Sequence, residues 1–133
     1  MSQHSTSEGR HPLILVEDDA ALRRALQLLL HNQGFDVRAY PSAANILAEG
    51  NLTDDAVLLA DYRLPDSDGV AIVAQLRARG WRGRAVMLTG FPSAALTQSA
   101  IDAGYSEVLE KPIPHHRLLA ALRRLDHGDR RVF

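Results

Sequence analysis

Ala56-Val57-Leu58-Leu59-Ala60-Asp61-Tyr62-Arg63-Leu64-Pro65-Asp66-Ser67-Asp68-Gly69 is the stretch whose reading decides the fold. Its first five residues are apolar with no polar face, which suits a strand buried on both sides of a parallel sheet. Asp61 ends the run. A carboxylate at the carboxyl end of such a strand lies at the mouth of the sheet, where open α/β folds place their chemistry. Leu64 to Gly69 is turn chemistry, so the chain loops out before the next helix. Taken alone, Asp61 reads more simply as a strand terminator; the rest of the chain reverses that.

Upstream, Leu13-Ile14-Leu15-Val16 is a second apolar run that ends in Glu17-Asp18-Asp19. From Asp19, a plausible N-cap, the period changes. Leu22, Ala25, Leu26 and Leu29 fall on one helical face, and Gly34 stops the helix. Phe35 to Tyr40 alternates like a strand near a sheet edge, and Pro41 and Ser42 open a helix to about Glu49. Downstream, the spacing predicts a helix from about Val70 to Arg79 and a strand from Arg84 ending at Thr89-Gly90. A helix from about Pro92 to Ala103, a short strand Glu107 to Leu109 ending in Glu110-Lys111-Pro112, and a helix from Pro114 to about Leu125 follow.

Strands starting near 13, 35, 56, 84 and 107 are spaced like βα units. Five strands alternating with five helices give a doubly wound parallel sheet, most simply in the flavodoxin-like order 2-1-3-4-5. In that order the first and third strands are neighbours at the topological switch point. The acids after strand one and Asp61 after strand three then meet.

The 133 residues suit one domain and can bury a sizeable core without staples. Fifteen basic residues against sixteen acidic ones leave a net charge of −1, so neither nucleic acid nor a membrane surface is the expected partner. Without cysteine there is no disulfide, thiolate catalysis or cysteine-bound zinc. Residues 1–11 read as a mobile leader without a signal-peptide core, and no apolar run reaches the length of a membrane span; a cytoplasmic protein is expected. Residues 12–126 are expected to form the globular domain, and residues 127–133 a short tail with no output domain.

Glu17, Asp18 and Asp61 are three carboxylates at one end of the sheet, and like charges this close require raised pKa values or a cation. Oxygen-only ligands at a shallow site suit Mg²⁺ that keeps several waters. Thr89 ends strand four and Lys111 ends strand five, so a hydroxyl and an ammonium reach the same rim. Cation and Lys111 together offset the charge of a phosphoryl group approaching an Asp61 nucleophile, with Thr89 hydrogen-bonding a phosphoryl oxygen.

These residues resemble the receiver domains of two-component response regulators, the CheY-like family, over roughly residues 12 to 126. The likeness rests on Glu17-Asp18-Asp19, on Asp61 to Gly69, on Leu88-Thr89-Gly90 and on Glu110-Lys111-Pro112, each at the carboxyl end of a different strand. The resemblance implies a stand-alone domain in a phosphorelay, not an enzyme in the ordinary sense. It implies Mg²⁺ on Glu17, Asp18, Asp61 and the main-chain carbonyl of Arg63, and a cis Lys111-Pro112 bond. It also implies phosphorylation of Asp61 by a histidine kinase or histidine phosphotransfer protein. A downstream protein would dock on the fourth helix, fifth strand and fifth helix, and a homodimer is compatible with such a domain.

The chain departs from the family at Val108, where an aromatic residue that changes rotamer with the Thr is usual. An aliphatic side chain cannot make that swing; Tyr105 is close, but its register does not match. Arg63 and Phe91, each two positions beyond a site residue, match variable positions that influence phosphate lifetime, and both are bulky enough to hinder a water. Two rival readings are an aspartate-nucleophile phosphatase and a phosphorylation-independent interaction module. The first needs a second Asp where Arg63 stands. The second is kept open by Val108. Asp66-Ser67-Asp68-Gly69 lacks the ligands of a calcium loop, His115-His116 point apart on a helix, and Trp81 reads as loop packing.

Overall fold

The computed structural model describes residues 10–50 and 52–131, with residues 124–131 described by backbone alone. The strands are β1 (His11–Val16), β2 (Phe35–Tyr40), β3 (Val57–Asp61), β4 (Arg84–Thr89) and β5 (Glu107–Glu110). All pair in parallel in the order β2-β1-β3-β4-β5. Between and after them run α1 (Ala20–Asn32), α2 (Ala43–Ala48), α3 (Gly69–Ala78), α4 (Ala94–Ala103) and α5 (His115–Arg131). The expected order and element count both hold.

The apolar run after Asp55 is divided by the two-residue period of a strand. Leu58 and Ala60 join Ile14, Val16, Ala85 and Met87 against Ile46 of α2, Ile72, Val73 and Leu76 of α3, and Ala100 of α4. Val57 and Leu59 join Leu13, Leu15, Val86, Leu88 and Leu109 against Leu26 and Leu30 of α1 and Leu118, Ala121 and Leu122 of α5. All five residues of β3 are buried, which is why the run carries no polar face.

Four helices start on a side-chain cap. Asp19, Ser42, Asp68 and Ser93 accept from the backbone N–H of Leu22, Asn45, Ala71 and Leu96. Each such cap is worth about 1 kcal/mol. Gly34 (φ 99°) and Gly104 (φ 126°) turn the chain after α1 and α4 in a region that L side chains rarely adopt.

Two boundaries differ from expectation. β1 begins at His11, where the leader was expected to end, because its N–H donates to the Gly34 carbonyl (3.1 Å) and its ring meets Phe35 edge-on. Pro12 is tolerated there because pairing with β3 starts only at Leu13. α5 continues past Leu125 to Arg131 through the expected tail, since no proline interrupts it and a mid-helix Gly128 costs only about 1 kcal/mol. Residues 1–9 of the expected leader and residues 132 and 133 lie outside the described residues. Among the described residues, no helix is long and apolar enough to cross a membrane.

Candidate phospho-acceptor site

Glu17 and Asp18 follow β1, Asp61 ends β3, Thr89 ends β4 and Lys111 follows β5, so the parallel sheet brings all five to one rim. Glu17, Asp61 and Thr89 are buried, with exposures of 1%, 6% and 2%, whereas Asp18 faces solvent. Oxygens of Glu17, Asp18 and Asp61 all lie within 4.8 Å of one another. Lys111 Nζ donates to Glu17 Oε1 at 2.9 Å and to Asp61 Oδ2 at 2.8 Å, so one ammonium spans the two buried carboxylates. The Lys111-Pro112 peptide is cis.

Burial pushes the Glu17 carboxyl above its ordinary value, and nearby Asp61 adds to that; hydrogen bonds from Lys111 and the Asp19 amide offset only part. Burial alone would lower the Lys111 ammonium, but its bonds to Asp61 and Glu17 win and hold it above the ordinary lysine value. A permanently charged lysine between two carboxylates is the result. Three carboxylates, one of them open to water, also form a donor set that fits a hard, partly hydrated divalent cation.

Two loops flank this rim. Arg63 lies in the β3–α3 loop, bridged to Asp68, and its guanidinium carbon sits 5.3 Å from the centroid of the Phe91 ring. Phe91 is 73% exposed, an unusual degree for a phenylalanine, and it follows Thr89 directly enough that its N–H donates to Thr89 Oγ1 at 3.2 Å. Val108 is half-buried and packs on the α2–α3–α4 side of the sheet. His115 and His116 are exposed at the start of α5, and Trp81 is buried between loops.

Two features escaped the sequence reading. Asp66 reaches across the fold to accept from Ala43 N–H (3.0 Å) and Ala44 N–H (2.9 Å) at the start of α2, tying the tip of the β3–α3 loop down. Tyr105, buried on the same side as Val108, donates its hydroxyl to the Gly69 carbonyl at 2.7 Å. Nothing in the local pattern links Asp66 to residues more than twenty positions earlier. Tyr105 was legible as an aromatic near β5, but not as a buried donor.

The Ala44 and Ala43 amides hold the Asp66 carboxyl below its ordinary value of 3.8. A depressed carboxylate contributes stability that is present above the unfolded value and lost as pH falls through the folded one. Thermal melts between about pH 6 and pH 3 are therefore expected to show an acid-limb loss that Asp66→Asn reduces. An unchanged acid limb in that variant would contradict the tie.

The chain belongs to the response regulator receiver domain family, whose model matches residues 13–123. It is a receiver domain of the kind found in two-component signalling, a phospho-acceptor module by family. It is 32% identical over 112 residues to the transcriptional regulatory protein FixJ of Azorhizobium caulinodans, covering 84% of this chain and 53% of that protein. To the tetrathionate response regulatory protein TtrR of Salmonella typhimurium it is 34% identical over 110 residues, covering 83% and 53%. The chain thus spans about half the length of these curated relatives. A CheY-like receiver domain structure from Methanospirillum hungatei superposes with a TM-score of 0.82 at 23% identity, covering 91% of this chain and 98% of that one. The expected family and fold stand, and neither rival reading is favoured.

Proposed function

We propose that Asp61 accepts a phosphoryl group from a phosphohistidine of a histidine kinase or phosphotransfer protein, with Mg²⁺ held by Glu17, Asp18, Asp61 and the Arg63 carbonyl. The observation that carries this is the Lys111 ammonium bonded to both Glu17 and Asp61 at the carboxyl edge of the sheet. An Asp61 oxygen attacks phosphorus, the P–N bond breaks, and the leaving imidazole nitrogen keeps the electron pair and takes a proton. Bound Mg²⁺ would supply positive charge to the transferring group. Lys111 supplies the protein's own charge compensation. Thr89 Oγ1 already accepts from Phe91 N–H, which leaves its O–H free to donate to a phosphoryl oxygen.

The receiver unit is read as residues 12–126. A downstream protein would meet the α4–β5–α5 side, with neither nucleic acid nor membrane as direct partner. The same reading assigns the cytoplasm and leaves homodimer formation to sedimentation analysis. Incubation with phosphoramidate and MgCl₂, followed by intact-mass measurement, is expected to give one labile phosphoryl adduct. Chelation of the metal should remove it, and an adduct formed equally well in EDTA would contradict the metal's part.

The Arg63–Phe91 contact bears on how long that adduct lasts. The Arg63 guanidinium lies over the Phe91 ring, both are borne on the loops that follow β3 and β4, and both are bulky enough to hinder an attacking water; an exposed cation–π contact is worth about 0.5–1 kcal/mol. Arg63→Ala or Phe91→Ala is expected to speed phosphate loss about two- to fivefold, the rate equivalent of that energy. Unchanged decay of the adduct in both variants would remove the role.

A further inference from the structure

The β3–α3 loop is closed at its neck. Tyr62 N–H donates to the Leu88 carbonyl (2.8 Å), Gly69 N–H donates to the Tyr62 carbonyl (2.8 Å), and within the loop Leu64 N–H donates to the Ser67 carbonyl (3.2 Å). The neck is pressed against the acceptor strand, since a Cβ on Gly69 would lie 2.9 Å from the Asp61 carbonyl oxygen and 3.1 Å from Met87 Cε. Into this junction comes a side chain from another part of the chain. Tyr105 lies in the α4–β5 turn, where its N–H donates to the Ala100 carbonyl (2.9 Å), and it is 2% exposed. Its hydroxyl donates to the Gly69 carbonyl, and burial holds that hydroxyl far above the ordinary tyrosine value, so it remains a donor.

We infer that Tyr105 is a positioning residue for phospho-acceptance, its hydroxyl fixing the neck of the loop that follows Asp61 and carries the Arg63 carbonyl. The inference rests on the Mg²⁺-dependent acceptor reading above. It differs from a packing role because ring and hydroxyl do separate things. The ring fills space among Ile72, Val73, Leu76, Met87 and Ala100 of the core. The hydroxyl alone reaches the loop. A neck free to shift would spread the Asp61 and Arg63 oxygens, which lowers affinity for a cation and slows in-line attack through lost alignment.

The test compares wild type, Tyr105→Phe and Ser106→Ala by following amide shifts during MgCl₂ titration, by phosphorylation rate with phosphoramidate at saturating MgCl₂, and by thermal melting. Ser106→Ala removes another hydroxyl bond of the same turn, from Ser106 Oγ to the Ala85 carbonyl at 3.1 Å, that does not touch the loop. Tyr105→Phe is expected to raise the Mg²⁺ Kd roughly three- to tenfold and to slow phosphorylation by a similar factor, the size of one lost hydrogen bond. Ser106→Ala should move the melting temperature but neither of the other two readouts. Equal Kd and rate in wild type and Tyr105→Phe, with only melting changed, would reduce Tyr105 to packing and leave the acceptor reading intact. Wild type without Mg²⁺-induced shifts around residues 17, 18 and 61 would overturn both. If Tyr105→Phe is not folded, Tyr105→Trp keeps an aromatic ring but moves its donor, and it must show the same rise in Kd.

Discussion

Lys111→Ala is expected to lower the rate of phosphorylation by about 10²–10³-fold, the usual effect of removing one group that stabilises developing charge in a water-poor site. The site's geometry makes a second, opposite effect follow. The ammonium now bonds Glu17 Oε1 and Asp61 Oδ2, on two of the three carboxylates that would hold a cation. Without it, Mg²⁺ affinity should hold or tighten while phosphoryl transfer fails. The Glu17 carboxyl should also move further up, because a hydrogen bond that opposes its burial is gone. Rate measurements with phosphoramidate beside a MgCl₂ titration separate the two quantities. A variant that phosphorylates within about twofold of wild type would mean that Lys111 is a structural ion-pair partner only.

The largest expected stability effect lies at the other end of the sheet. A Cβ added at Gly83 would stand 2.1 Å from Trp81 Cζ2 and 2.6 Å from the Ala56 carbonyl oxygen. Neither neighbour has room to yield. The indole N–H donates to the Thr53 carbonyl (2.9 Å), and the ring carries the Arg77 guanidinium 4.9 Å from its centroid. That guanidinium is itself bonded to the carbonyls of Trp81, Gly83 and Gly104. Gly83→Ala is expected to cost about 3 kcal/mol, near the upper end for overpacking a tight site. For a domain of this size that lowers the melting temperature by roughly 10 °C. Phosphorylation measured well below the melting temperature should remain near wild type, since Asp61 lies at the opposite end of β3. A melting temperature within about 2 °C of wild type would show that the Trp81 corner is looser than its contacts indicate.

Much of this was legible in the sequence because parallel strands advertise themselves. Leu13 to Val16 and Ala56 to Ala60 are apolar on both faces, and the residues that end them are forced to one rim by the topology alone. Glu17, Asp18, Asp61, Thr89 and Lys111 were therefore placed together from chain order, and the structure brings them together. What stayed hidden depends on contacts between residues far apart in the chain. The Asp66 tie joins the β3–α3 loop to the start of α2, the Tyr105 bond joins the α4–β5 turn to the start of α3, and neither leaves a periodic trace. α5 runs beyond the expected end near Leu125 because the apolar spacing of Leu118, Leu122 and Leu125 ends there while the backbone stays helical through Gly128 to Arg131, a single glycine not stopping a helix. Tyr105 does not match the register of the residue that usually switches with the Thr, yet it precedes β5 and so is not bound by that strand's alternation.

The central claim is that Asp61 itself becomes the aspartyl phosphate. Wild type is incubated with phosphoramidate and MgCl₂, reduced with borohydride, which converts an acyl phosphate to the alcohol, and digested for peptide sequencing by mass. Homoserine is expected at position 61, absent when the metal is chelated and absent in Asp61→Asn. Homoserine at another carboxylate, or phosphorylation that persists in Asp61→Asn at the wild-type rate, would contradict it.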